Sequence, residues 1–184
     1  MNFFQAIILG IVQALTEYLP VSSSAHIRII GDLMLGADPG AAFTAIIQIG
    51  TELAVILYFR RDIINILSHW FGCLFGKNGP DWRARMGRGD KYATLGWNVI
   101  VGSIPIIILG FTLQTIIETS LRNLWITVTV LFLFGLLLWI VDARSRQIKT
   151  MDDMNYRDAF LFGLGQSMAL IPGVSRSGGT ITVG

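Results

Sequence analysis

The sequence predicts an all-α, polytopic membrane protein with an inverted repeat and two re-entrant helix-loop-helix regions. Three observations lead there. Hydrophobic residues make up 53% of the 184 positions and charged residues 14%, against about 25% charged in soluble domains. Long stretches carry no charge at all. Two shorter apolar runs, one near each end, align with each other at a fixed offset. The same composition excludes other classes. One cysteine, Cys73, is no disulfide scaffold. The apolar content excludes a disordered chain. A net charge of +2 is too small for a typical nucleic-acid binder.

Charge-free runs place the spans. Tyr92–Ile117 and Asn123–Val141 contain no Asp, Glu, Lys or Arg, and Ala41–Phe59 contains only Glu52. A helical crossing takes about 20 residues, and in lipid the backbone must satisfy its own hydrogen bonds. Pro105 is expected to kink the middle span. The runs Met1–Thr16 and Ala159–Val174 are 16 residues each. At about 1.5 Å per residue they fall short of a roughly 30 Å core, so they are read as half-crossings. Met1–Thr16 lacks the basic start and small-residue cleavage site of a signal peptide.

Basic residues set the sidedness. Seven lie from Arg60 to Lys91 and four from Arg144 to Arg157. With three alternating spans, both loops (about 60–91 and 142–157) fall on one side, which the positive-inside rule makes cytoplasmic. A nucleic-acid or anionic-lipid patch is the lesser reading of the first loop. Asp62–Phe75 reads as an interfacial helix with His69 as an interfacial side chain, and Lys77–Lys91 as a loop. The chain is expected to be a single integral membrane domain, 1–184.

An offset of 153 residues superimposes Ala6–Ala25 on Ala159–Gly178, with six identities in twenty. Gln13 meets Gln166, and Ser22 and Ser24 meet Ser175 and Ser177. One copy precedes a span that starts outside, and the other follows a span that ends inside. As half-crossings they dip in from opposite faces and meet near the midplane, where transporter-like folds place their sites. As full crossings they would run parallel and emerge together outside.

Two clusters carry chemistry. Gln13 and Glu17 share a helix face at i, i+4, and a carboxylate inside an apolar run marks a functional position. Ser22, Ser23 and Ser24 follow Pro20 where the helix breaks, presenting hydroxyls and N–H groups suited to phosphate oxygens. His26 is a base or nucleophile near neutral pH. In the second cluster, Pro172 to Thr180, Arg176 sits between Ser175 and Ser177, with Gly178, Gly179 and Thr180 after it. Guanidinium binds phosphate in a bidentate manner. Gln48 and Glu52 repeat the Gln-x-x-x-Glu spacing inside a span; Glu52 is either a second metal ligand or faces a wet cavity. Together these make a phosphoryl-transfer kit without a nucleotide loop. Glu17 with Gln13 could hold a divalent cation, and a site in the membrane implies a substrate with a lipid tail.

At these residues the sequence resembles the undecaprenyl pyrophosphate phosphatase family, also known through bacitracin resistance. Gln13-Ala-Leu-Thr-Glu17 is similar to its (E/Q)xxxE motif, and Pro20-Val-Ser-Ser-Ser-Ala-His26 to the stretch that follows. Pro172–Thr180 matches its PGxSRSxxT signature in full. The resemblance spans the whole chain. It implies hydrolysis of undecaprenyl diphosphate to the monophosphate with Mg²⁺ or Ca²⁺, recycling a lipid carrier for cell-wall synthesis at the bacterial cytoplasmic membrane. The site would open to the extracytoplasmic side. The resemblance assigns Gln13 and Glu17 to the metal and Ser23 as nucleophile with His26 as base, or His26 as nucleophile. It assigns Arg176 to the diphosphate, helped by Ser175, Ser177 and Thr180, while Ser22 and Ser24 are read from the serine turn as further substrate-binding hydroxyls. Gln13 is the neutral choice at its motif position. Family members are longer, so the chain is expected to be truncated at its C-terminus, with a return helix and closing spans after Gly184. A homodimer stays open, as do a transporter or flippase of a polyprenyl phosphate and an inactive fragment left by the truncation. A second phosphatase class with a later histidine is excluded, because no His follows His69.

Overall fold

The computed structural model describes residues 1–119, 123–145, 150 and 153–184. Among them there are helices and turns and no strand. In order come α1 (Phe3–Thr16), α2 (Ser23–Leu35), α3 (Ala41–Tyr58), α4 (Arg60–Leu74), α5 (Trp82–Arg85), α6 (Lys91–Thr119), α7 (Leu124–Arg144), α8 (Tyr156–Ser167), a 3₁₀ turn (Met168–Leu170) and α9 (Arg176–Val183).

Three helices are long and apolar enough to cross a membrane. They are α3, the Lys91–Ile117 part of α6, and α7, with mean hydropathies of 1.6, 2.1 and 2.6. Their surfaces are mostly uncovered by protein, as lipid-facing helices require. Helix α6 continues through Pro105. A helix, α4, forms where the interfacial helix was expected. The 77–91 segment departs from a plain loop, because Trp82–Arg85 closes one helical turn. Arg83 of that turn lies over the Trp82 ring, 5.4 Å from its centroid. Of the basic residues expected in the second loop, Arg146 and Lys149 lie outside the described residues.

The offset found in the sequence recurs in the element boundaries. Asn2 caps α1 through a capping box with Gln5. Asn155, 153 positions later, caps α8 through a capping box with Asp158. Ser22 precedes α2 as Ser175 precedes α9. Each copy is thus a helix, a break and a second helix. The 14 residues of α1 reach about 21 Å and the 12 of α8 about 18 Å, too short to cross and long enough to bring a break to mid-depth.

Packing fixes the second copy in place. Helix α8 lies most extensively on α6, and α9 folds back on α8. The α6–α8 contact runs through Gly102 and Gly163, where a Cβ on Gly163 would strike the Gly102 carbonyl. Small residues at such crossings let backbones approach where lipid gives helices no hydrophobic reason to associate. The break itself holds Gly173 at φ +105, with its Cα face against the carbonyl of Thr127 on α7. The first copy packs through α1 on α2 and α3, and through α2 on α7.

Beneath the spans, α4 rests on the start of α6. Trp70 meets Trp97 edge to face at 5.3 Å. His69 is held by Asp90: its Nδ1 donates to Asp90 Oδ2 across 2.8 Å. Cys73, one turn further along α4, is buried beside the same carboxylate and accepts from Asn78 Nδ2 at 3.1 Å.

Candidate functional site

The site forms where the two helix breaks meet. Helix α1 ends at Thr16, and Glu17 follows as its C-cap. Gln13, one turn earlier, is buried at 1% exposure. Its Nε2 donates to Glu17 Oε2 at 2.8 Å, which fixes the carboxylate. Its Oε1 is buried with no hydrogen-bond partner. The i, i+4 spacing read from sequence has become an amide holding an acid.

The chain then turns through Pro20 into Ser22, the one described non-glycine residue with positive φ, at +63. That conformation is costly for a residue with a Cβ. Here it starts α2 abruptly, with Ser23 as the first helical residue, facing back toward Glu17. Ser23 Oγ donates to Glu17 Oε2 at 2.5 Å. Ser22 and Ser24 share a hydrogen bond at 3.2 Å. No side chain caps α2, and Ser22, Ser23 and Ser24 at its start all line one cavity. A helix N-terminus of this kind favours anions.

The second copy supplies the cation. Ser175 caps α9 by accepting from the Gly178 amide at 3.2 Å, and Arg176 is the first residue of α9. Its Nη2 lies 3.8 Å from Glu17 Oε1 and its Nη1 lies 3.0 Å from Glu52 Oε1. Ser175 and Ser177 share a hydrogen bond at 3.0 Å, in the register of the Ser22–Ser24 pair. Ser177 also donates to the Leu19 carbonyl at 3.1 Å.

A cavity of about 150 Å³ occupies this junction, lined among others by Gln13, Glu17, Ser22, Ser23, Ser24 and Arg176. A second, of about 340 Å³, adjoins it across Glu17 and Arg176 and is lined by Glu52, Ser177 and Thr180. Of the residues singled out from sequence, Gln13, Glu17, Ser22, Ser23, Ser24, Ser175 and Arg176 come together in the smaller cavity. Ser177 and Thr180 lie on the far side of Arg176, and the Thr180 hydroxyl bonds back to the Ser177 carbonyl at 2.9 Å. His26 lines neither cavity. Its Nδ1 meets the Ser22 carbonyl at 2.8 Å. A carbonyl can only accept, so Nδ1 carries the proton and Nε2 of the neutral ring keeps its lone pair. The Ser23 proton points to Glu17, not to His26.

Sequence reasoning missed Thr44, which lines the smaller cavity with Gln48. Thr44 and Gln48 lie one turn apart on α3, and that spacing was the available signal. Glu52 carried the weakest sequence signal and makes the shortest contact to Arg176.

The donor set suits a divalent cation. A fixed carboxylate and a buried, unpartnered amide oxygen one helical turn apart are the hard oxygen ligands that Mg²⁺ and Ca²⁺ take. No group of three or more His, Cys, Asp or Glu suited to a metal occurs among the described residues.

The chain is similar to known proteins along its whole length. The chain is 89% identical over its full 184 residues to an undecaprenyl-diphosphatase of Bifidobacterium longum subsp. infantis, covering 63% of that protein. It is 71% identical over the same 184 residues to an undecaprenyl-diphosphatase of Bifidobacterium adolescentis, again 63% of it. Over 188 aligned residues it is 53% identical to one from Paenarthrobacter aurescens, covering 64% of that protein. The chain therefore spans a little under two thirds of the length of the curated relatives it matches. The model of the family described as bacitracin resistance protein BacA matches residues 6–184, and with both of its helix breaks inside that match the chain belongs to this family.

Proposed function

We propose that this chain carries the catalytic residues of a membrane phosphatase that hydrolyses undecaprenyl diphosphate to undecaprenyl phosphate and inorganic phosphate. The observation that carries the reading is the Ser23–Glu17–Arg176 constellation, with a hydroxyl on a carboxylate and a guanidinium beside it. The names of the relatives support the same substrate.

In the proposed reaction Arg176 and the first-turn amides of α2 bind the terminal phosphate. Ser23 Oγ attacks its phosphorus as Glu17 Oε2 takes the hydroxyl proton. The P–O bond to the inner phosphate breaks, and undecaprenyl phosphate leaves. Water then cleaves the phosphoserine, releasing inorganic phosphate and restoring Ser23. His26, with Nε2 free, is the alternative nucleophile. Ser22, Ser24 and Ser175 supply hydroxyls to the phosphate oxygens, while Ser177 and Thr180 hold the α9 side of the site. Gln13 Oε1 and Glu17 would hold a divalent cation, Mg²⁺ or Ca²⁺, whose chemistry is to neutralise diphosphate charge.

The placement belongs to the same proposal. The loops at about 60–91 and 142–157 face the cytoplasm of a bacterial inner membrane, and the site opens outward. There it would regenerate the lipid carrier for peptidoglycan synthesis and contribute to bacitracin resistance.

The test is phosphate release from a long-chain polyprenyl diphosphate in detergent, on the full-length protein and on residues 1–184. Metal-dependent release that disappears with EDTA and in Arg176→Ala is expected. Release that persists in Arg176→Ala, or none from the full-length protein, overturns the reading.

A further inference from the structure

The site contains two copies of one local device. Gln13 Nε2 donates to Glu17 Oε2 on α1 at 2.8 Å, and Gln48 Nε2 donates to Glu52 Oε1 on α3 at 3.3 Å. Both carboxylates reach the Arg176 guanidinium, one on each terminal nitrogen. They differ in freedom. The Glu17 side chain is 13% exposed and that of Glu52 is 50% exposed. Glu17 is also bound by Ser23. Glu52 lines the larger cavity only.

We propose that Glu52 is a positioning residue that occupies Arg176 in the empty site and thereby makes anion binding depend on an accompanying divalent cation. The proposal rests on the phosphatase reading and names a part of that site which the sequence motifs do not include. Its physical basis is charge and geometry. End-on bidentate binding of phosphate takes both terminal nitrogens of the guanidinium. Glu52 holds Nη1, so an arriving diphosphate must displace it. Two carboxylates against one guanidinium leave the site negative before the anion arrives. A diphosphate entering alone would then face the carboxylate it has displaced. When a divalent cation enters with it beside Glu17, which lines both cavities, the displaced Glu52 gains a positive partner. Its half-exposed side chain can leave Arg176 without strain, whereas Glu17 is tied from two sides.

The test is calorimetric binding of inorganic pyrophosphate to the full-length protein in detergent, with Mg²⁺ and with EDTA. Glu52→Gln keeps the shape and the hydrogen bonds and removes the charge. In EDTA it is expected to bind pyrophosphate about tenfold more tightly than the parent, the scale of a usual coupling between two ligands. Added Mg²⁺ should then improve its affinity less than it improves the parent's. Glu52→Asp should restore the parent's dependence on Mg²⁺. Equal affinity of the parent and Glu52→Gln in EDTA, with binding still lost in Arg176→Ala, overturns the role of Glu52 and leaves the phosphatase reading standing. Pyrophosphate binding that ignores Arg176→Ala in every condition overturns both.

Discussion

Ser177 Oγ donates to the backbone carbonyl of Leu19 across 3.1 Å, joining residues 158 positions apart. Leu19 lies in the break after α1, and Ser177 lies in the first turn of α9. The bond therefore closes one copy of the repeat on the other, one residue away from Arg176. It gives the two breaks a fixed separation, and that separation sets the distance from Arg176 to Glu17.

Replacing Ser177 with Ala should cost about 1 kcal/mol of stability, the net worth of one hydrogen bond. The larger effect should be on the site. With its neighbour released, Arg176 loses its alignment, and the apparent affinity for diphosphate should fall more than thermal stability does. Melting in detergent and KM for the lipid diphosphate, measured on the same preparation, separate the two. A variant with parental KM would show that Ser177 only packs.

The Ser23 hydroxyl and the Glu17 carboxylate should stand or fall together. Glu17→Gln keeps an acceptor for Ser23 but removes the base, and turnover should drop by about 100-fold or more. Ser23→Ala should drop turnover at least as far while leaving pyrophosphate binding in place. If His26→Ala proves more damaging than Ser23→Ala, and a phosphohistidine can be trapped, His26 Nε2 is the nucleophile.

Close backbone approach around α8 makes a separate prediction. A Cβ on Gly179 would press on the Gly165 carbonyl, just as one on Gly163 would press on Gly102. In both cases the obstacle is backbone, which cannot turn aside. Gly163→Ala and Gly179→Ala should each cost about 1–3 kcal/mol by overpacking. Gly135 has open space around its Cα, so Gly135→Ala should be tolerated. Comparable melting temperatures for all three would contradict this account.

These contacts also show where sequence was readable. Long apolar runs with at most one charge placed α3, α6 and α7, because a chain segment crossing lipid alone satisfies its backbone only as a helix. The Gln13–Glu17 spacing and the Pro172–Thr180 motif placed the two breaks. The partners of Arg176 were not readable. Glu52 lies 124 positions away from it, and nothing in a Gln-x-x-x-Glu repeat says which guanidinium it will face. The direction of the Ser23 proton was equally hidden. It follows from positive φ at Ser22, which rotates the start of α2 toward Glu17, and a serine sequence does not announce that backbone. Nor did the apolar spacing of α4 reveal that His69 would find Asp90. That contact depends on how the 77–91 segment turns back.

The corner beneath the spans should respond to acid through Asp90. Burial opposes ionisation of its carboxyl. Hydrogen bonds from His69, from the Ala93 amide and from Asn78 outweigh that and hold it below its ordinary value. A carboxyl lowered in this way adds stability above the unfolded-state value of about 3.9, and that stability is lost as pH falls through the folded value. Asp90→Asn should therefore melt lower than the parent at neutral pH, and the gap should narrow as the pH falls below about 4. The Cys73 thiol beside it is pushed up, first by burial and then by the Asp90 charge. It should react slowly with maleimide at neutral pH and faster in Asp90→Asn, where the charge is gone and the corner is looser. A melting gap that is the same at acid and neutral pH would show that Asp90 acts here through packing alone.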